Sequence, residues 1–297
     1  RFLAAVALHE ALALHGMDYV VDPNSSYADF SKRAEAVDYL QFPRQTLSYK
    51  SGDCDDLSAT YCALMESIGV HTAFITVPGH IFTAFRLEMP ASDARGSFRT
   101  ADDLILMQDG STWIPVETTA LKEGFLQAWA LGAKQWRDYS KEGKASFIRT
   151  DEAWSVYEPV AFNIPGTQAF VPAQNLVART FEDQMKQFVE REISEREQKL
   201  RSDVAKTPGE PRLLNSLGVL YARYGILDKA EVQFTAALKR GEYAPALLNL
   251  GNLRSLKGNL DDALVFYRRA LTAQPNNPGA VLAVARTSHQ LGNFGDA

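Results

Sequence analysis

The sequence is short of the residues that build disulfide frameworks and zinc sites, with two cysteines and five histidines among 297 residues. Cys54 and Cys62 fall on one expected helix, with backbones roughly 12 Å apart at about 1.5 Å per residue, too far for a disulfide. Cys62 reads as a small buried apolar residue, and without a structural disulfide the cysteines set no redox compartment. Cys54, Cys62, His71 and His80 lack the paired short spacings of tetrahedral zinc sites. No run of about 18 apolar residues offers a membrane-spanning helix. Arg1 to Leu14 is apolar but interrupted by His9 and Glu10, and no small-residue cleavage site follows, so it reads as a packed helix. The chain starts without methionine and stops inside a periodic pattern, which reads as a fragment of a longer protein. Basic charge is scarce in the first two thirds: residues 1–205 carry 20 basic and 29 acidic side chains, residues 206–297 carry 11 and 7. That balance excludes nucleic acid as the substrate of the acidic part, since phosphate binding needs clustered Lys and Arg.

What is present is a reactive-thiol pattern. Ser51-Gly52-Asp53-Cys54-Asp55-Asp56-Leu57 places Cys54 where a glycine-ended approach turns into a helix. Leu57, Tyr61, Leu64, Met65 and Ile68 then fall on one face, and Gly69 closes it. Asp53 suits the N-cap and Asp56 the reciprocal place of a capping box. A thiol in the first turn meets unpaired backbone N–H groups and the positive end of the helix dipole, which favour the thiolate. Downstream stand His80, after Pro78-Gly79, and Glu117, at the end of Trp113-Ile114-Pro115-Val116. Cysteine, histidine and carboxylate in that order point to an activated nucleophile. Asp109 and Asp103 are weaker rivals for the carboxylate. His71 reads as a surface residue, and His9, His15 and His289 as histidines without companions.

From Tyr49 to Phe85, with Glu117, the residues resemble the bacterial transglutaminase-like cysteine peptidases of the papain-like clan. The shared pattern is a Gly-Asp-Cys-acidic-Asp box opening a helix, a histidine on the next strand and an acid on the strand after that; where relatives carry aspartate, this chain has Glu117. The resemblance covers about residues 15 to 130. It implies Cys54 as nucleophile, His80 as base and Glu117 as the carboxylate orienting the imidazole. It implies a cysteine protease or amidase working through a thioester, with transglutaminase-type transfer to an amine or a non-catalytic protein-binding scaffold as alternatives. The backbone N–H of Cys54 would be one oxyanion donor; Gln45 and Tyr49 lie nearby in sequence, and neither spacing decides a side-chain donor. Some relatives are calcium-dependent, and Asp53, Asp55 and Asp56 are hard oxygen donors of that kind; the reading taken is nevertheless no cofactor. The resemblance favours the cell envelope or periplasm, with the cytoplasm as the alternative.

The expected architecture is an α+β papain/transglutaminase-like domain, a helix packed on an antiparallel sheet, over residues 1–170. Its elements are helices over 1–15 and 27–41, the turn Asp22 to Ser26, an end to the second helix at Pro43, strands over 71–77 and 81–87, a polar loop through Pro90 to Ser97, and a hairpin at Asp109-Gly110 returning through Thr112 to Glu117. Trp129, Trp136, Trp154, Pro159 and Pro165 belong to the part that closes the domain. Residues 171–206, free of Gly and Pro from Ala173, read as a long exposed connecting helix with a narrow stripe of Phe181, Met185, Phe188 and Ile193. Residues 207–297 repeat: Leu217-Gly218 recurs as Leu250-Gly251, Ala230 as Ala263, Ala237 as Ala270 and Gly258-Asn259 as Gly292-Asn293. With Pro275 these landmarks resemble the tetratricopeptide repeat, an all-α solenoid of two complete repeats and a third cut at Ala297, which implies a protein partner besides the protein or peptide substrate.

Overall fold

The computed structural model describes residues 1–21, 39–160 and 171–292. The expected turn over 22–26, nearly all of the expected helix over 27–41, Pro165, Asn293 and Ala297 lie outside the described residues. The chain forms two compact units, Arg1–Phe188 and Val189–Ala297.

The first unit opens with α1 (Phe2–His15), closed by Gly16 in the left-handed region at φ 91°. Strand β1 (Asp18–Tyr19) follows, then α2 (Pro43–Tyr49) and β2 (Ser51–Gly52), which pairs with β1 in parallel. Pro43 therefore starts a helix where the sequence suggested an ending. Its fixed φ suits the first helical position, where no N–H is needed, and Gln45 Oε1 accepts the Phe42 N–H at 2.9 Å.

Helix α3 (Cys54–Ser67) buries Leu57, Tyr61 and Met65, while Leu64 is only partly covered and Ile68, beyond the last turn, is exposed. Strands β3 (Thr72–Val77) and β4 (His80–Leu87) form a hairpin in which Val77 pairs with His80, leaving Pro78-Gly79 as the turn, with Gly79 at φ 76°. The expected polar loop contains a short helix, α4 (Ala91–Ser97), with Pro90 before it and Asp93 in its first turn, where a negative charge favours helix. Strands β5 (Ile105–Leu106) and β6 (Thr112–Val116) follow, then α5 (Phe125–Lys141), β7 (Ser146–Arg149) and α6 (Thr150–Val156).

The sheet is antiparallel throughout, in the order β5-β6-β4-β3-β7. Helix α5 reaches it closely through Gly132, where an added Cβ would come within 2.9 Å of the Pro115 backbone. The core includes an aromatic cluster: Phe2 packs against Phe125 at 5.6 Å, Trp129 at 5.9 Å and Phe188 at 4.9 Å between ring centroids, and Phe98 against Trp129 at 5.8 Å. Such pairs contribute about 0.5–1.5 kcal/mol each beyond area burial.

Phe181, Met185 and Phe188 come from α7 (Gln174–Lys206), so the first part of this helix belongs to the core of the first unit. Gln184 Oε1 also accepts the Leu126 N–H, at 3.1 Å, one of the unpaired donors at the start of α5.

In the second unit, residues 189–206 of α7 precede α8 (Pro211–Arg223), α9 (Leu227–Ala237), α10 (Ala244–Leu256), α11 (Leu260–Ala273) and α12 (Pro278–Gln290). Gly218 lies against the Phe234 ring, which an added Cβ would approach to 2.5 Å, and Gly251 lies still closer to Tyr267. Ala230, Ala237, Ala263 and Ala270 have no exposed surface, as helix crossings require. The Asn249 amide donates to Asn215 Oδ1 at 3.0 Å, tying α10 to α8. Among the described residues no helix is long and apolar enough to cross a membrane.

Candidate functional site

Cys54 is the first residue of α3 and 7% exposed. Asp53 holds it there by capping: its carboxylate accepts the Asp56 N–H at 3.4 Å, and Asp56 Oδ2 accepts the Asp53 N–H at 3.4 Å. Gly52 is needed just upstream, since an added Cβ would come within 2.5 Å of Asp56 Cβ. His80 begins β4 and Glu117 follows the last residue of the neighbouring β6, so both side chains leave the same end of adjacent strands.

They meet there. His80 Nε2 and Glu117 Oε2 are 2.7 Å apart, and Cys54 is close enough to the same imidazole to favour its charged form. The His80 side chain is 23% exposed and Glu117 is 2% exposed. Burial alone would discharge the imidazole, but the interactions with Cys54 and Glu117 outweigh it and push His80 up to about 10. Burial likewise opposes the Glu117 charge, and its bonds to His80 and Thr119 overcome this and hold its carboxyl below the ordinary range.

Glu117 is fixed by more than the histidine. Its Oε1 accepts the Thr119 backbone N–H at 3.0 Å and the Thr119 hydroxyl at 2.7 Å. Its Oε2 also accepts the Gln135 amide at 2.7 Å. The carboxylate thus both binds the neighbouring threonine and orients the imidazole. Gln135, on α5, escaped sequence reasoning because nothing local marks a glutamine 18 positions away as a partner.

The rival carboxylates are engaged elsewhere. Asp103 pairs with Arg137 at 3.2 Å, and Asp109 accepts the Ser111 N–H at 2.9 Å and its hydroxyl at 2.6 Å. Gln45 is spent on Phe42 and on the Tyr39 hydroxyl at 3.3 Å, and Tyr49 is exposed. Cys62 is buried, and burial pushes its thiol up to about 12. His9 and His15 do have companions, contrary to the sequence reading: His9 lies 3.4 Å from Glu10 and edge-on to Phe125, and His15 bonds the Leu47 carbonyl at 2.7 Å. Both sit on the buried face of α1, which composition alone did not reveal.

The carboxylates of Asp53, Asp55 and Asp56 gather within 4.8 Å of one another. Asp55 is pushed up to about 7 by burial and by Asp53, and burial raises Asp56 despite Gln41, whose N–H and amide donate to it at 2.7 and 2.6 Å. A hard cation such as calcium would relieve this crowding of like charge, so the donor set fits that ion chemically.

Residues 244–277 match the family model of the tetratricopeptide repeat, so the pair α10–α11 is such a repeat. Cellulose synthase operon protein C of Pseudomonas fluorescens (strain SBW25) is 28% identical over 253 residues, covering 82% of this chain. The chain spans only 18% of the length of that relative. Among solved structures, the first TPR of Spaghetti (RPAP3) bound to the HSP90 peptide SRMEEVD is 22% identical, over 37% of this chain and 82% of that one, with a TM-score of 0.29.

Proposed function

We propose that the chain couples a protein-binding repeat array to a thiol-dependent site acting on amide bonds of a protein or peptide, in a first unit of the transglutaminase-like, papain-like kind. The observation that carries this reading is one imidazole bonded to a buried, four-times hydrogen-bonded Glu117 and raised by the neighbouring Cys54. In this scheme the Cys54 thiolate attacks the carbonyl carbon, and the Cys54 backbone N–H, unpaired at a helix start, faces the oxyanion. The C–N bond breaks as the His80 imidazolium passes its proton to the leaving nitrogen, leaving a thioester on Cys54. Water then attacks with His80 taking its proton, releasing a carboxylic acid and restoring the thiolate. An amine in place of water would give transglutaminase-type transfer; the resemblance to the peptidases favours water. The scheme needs no cofactor, and no step passes through a metal ion.

The experiment is alkylation by iodoacetamide at about pH 6, read by mass spectrometry. Cys54 should carry the adduct and Cys62, with its thiol raised to about 12, should stay unmodified. Equal labelling, or labelling of Cys62 first, would leave the second reading, a non-catalytic protein-binding scaffold, which the repeat match favours.

The repeats offer a groove for the partner. Leu248, Asn252 and Leu256 of α10 and Leu282, Ala283 and Arg286 of α12 line a cleft of about 450 Å³, with one cation among exposed leucines. An extended segment of the protein target would lie there. Leu282→Asp combined with Arg286→Glu should lower turnover of a protein target about tenfold more than turnover of a short peptide. An equal fall on both would mean that the groove serves folding and not recruitment.

A further inference from the structure

Beside the Cys54–His80–Glu117 cluster lies a second feature of the first unit. Residues Asp18 and Tyr19 form β1, paired to Ser51 and Gly52 just before the cysteine box, and the Val20 N–H donates to the Gly52 carbonyl at 2.9 Å. Between this strand and the turn over 118–123 is a cleft of about 200 Å³. Its floor is apolar (Met17, Leu57, Ala120, Leu121), and its wall includes Tyr19, which is 41% exposed. Two connections tie the cleft to the cluster. Leu57 lies one turn beyond Cys54 on α3, and Thr119, in the cleft wall, bonds the Glu117 carboxylate through both its hydroxyl and its N–H.

We propose that this cleft is the subsite for an uncharged, apolar side chain on the acyl half of the substrate, the half that would remain joined to Cys54. The proposal rests on the reading of Cys54 as nucleophile. The volume equals roughly six or seven water molecules at about 30 Å³ each, the scale of a single side chain. The rim carries Lys122 and Asp18 at 2.7 Å, an ion pair that cancels its own charge, and the exposed Glu123, whose carboxylate disfavours an acidic side chain there. The Tyr19 hydroxyl feels the cluster as well: burial raises it, and the charges of Cys54, Asp53 and Glu117 raise it further. The phenol therefore stays protonated and stands as a neutral wall of the subsite.

The test uses the whole chain and a set of short peptidyl chloromethyl ketones that differ only in the side chain next to the reactive carbon (Leu, Asp or Lys). Inactivation rates, each divided by the iodoacetamide rate of the same protein, report the side-chain preference independently of thiol reactivity. The Leu probe should exceed the Asp and Lys probes at least tenfold. Tyr19→Ala should reduce that ratio to below about threefold, and Lys122→Glu, leaving Asp18 unpaired on an acidic rim, should raise the Lys probe above the Asp probe. Absence of a side-chain ranking in the natural protein, or the same ranking in both variants, overturns the subsite while leaving the nucleophile intact. Failure of iodoacetamide to label Cys54 would instead remove the nucleophile, and the subsite with it.

Discussion

His80→Ala should reduce amide turnover by about 10²–10⁴-fold, the range that a positioned acid–base group contributes, and Cys54→Ala should form no covalent adduct. Glu117→Gln should fall between these and the natural protein, because Gln135 and Thr119 would still hold the side chain in place while the charge opposite the imidazolium is gone. The pH dependence has a definite sign. The folded imidazole titrates near 10 against an ordinary 6.5, so its charged form stabilises the fold fully below about pH 6.5, and that contribution fades as the pH rises towards 10. Thermal melting of the natural protein should therefore decline between pH 7 and 10 more steeply than melting of His80→Ala. Parallel curves for the two proteins would mean that His80 is not held as a cation, and turnover unchanged in His80→Ala would end the enzymatic reading.

Gly251→Leu should lower the melting temperature of the second unit sharply. Even a Cβ at this position runs into the Tyr267 ring, and Gly218 meets Phe234 in the same way. For Gly251→Ala two effects compete. Helix propensity gains about 0.5–1 kcal/mol, whereas overpacking costs about 1–3 kcal/mol. Overpacking wins, by a margin that leucine enlarges. At about 4–8 °C per kcal/mol for a unit near this size, the leucine variant should melt roughly 10 °C or more lower. Gly96→Ala in α4, where an added Cβ meets nothing within 4 Å, should be neutral or slightly stabilising by the same reckoning. Shrinking the opposing ring with Tyr267→Leu should recover part of the loss, although the Tyr267 hydroxyl then no longer donates to Asn252 at 2.9 Å. A Gly251→Leu protein that melts with the natural one would refute the crossing.

The cysteine box was legible because its determinants are local. Asp53 and Asp56 cap the helix that their spacing implies, and the period of Leu57, Tyr61 and Met65 sets the buried face. Small residues recurring 33 positions apart made the repeats equally legible, since each must fit one helix crossing. Non-local determinants were hidden. Gln135 reaches Glu117 from another element, and β7, four residues long, enters the sheet beside β3 from 70 residues downstream. Pro43 shows a different failure: proline disfavours a helix interior and favours a helix start, and only the preceding chain decides between them. The narrow stripe of α7 suggests an exposed connecting helix because sequence counts apolar residues without showing which neighbours complete the surface.

That stripe bears on how the protein is made. Phe2 emerges from the ribosome first among the rings of the aromatic cluster and Phe188 last, and the two pack at 4.9 Å. Domains generally fold as they are synthesised, N-terminal parts first, yet the pocket formed by Phe2, Phe98 and Trp129 stays uncovered until the far end of the unit has been translated. For most of synthesis the nascent chain therefore carries an open, sticky aromatic face, and the first unit matures only when the helix that begins at Gln174 arrives to close it.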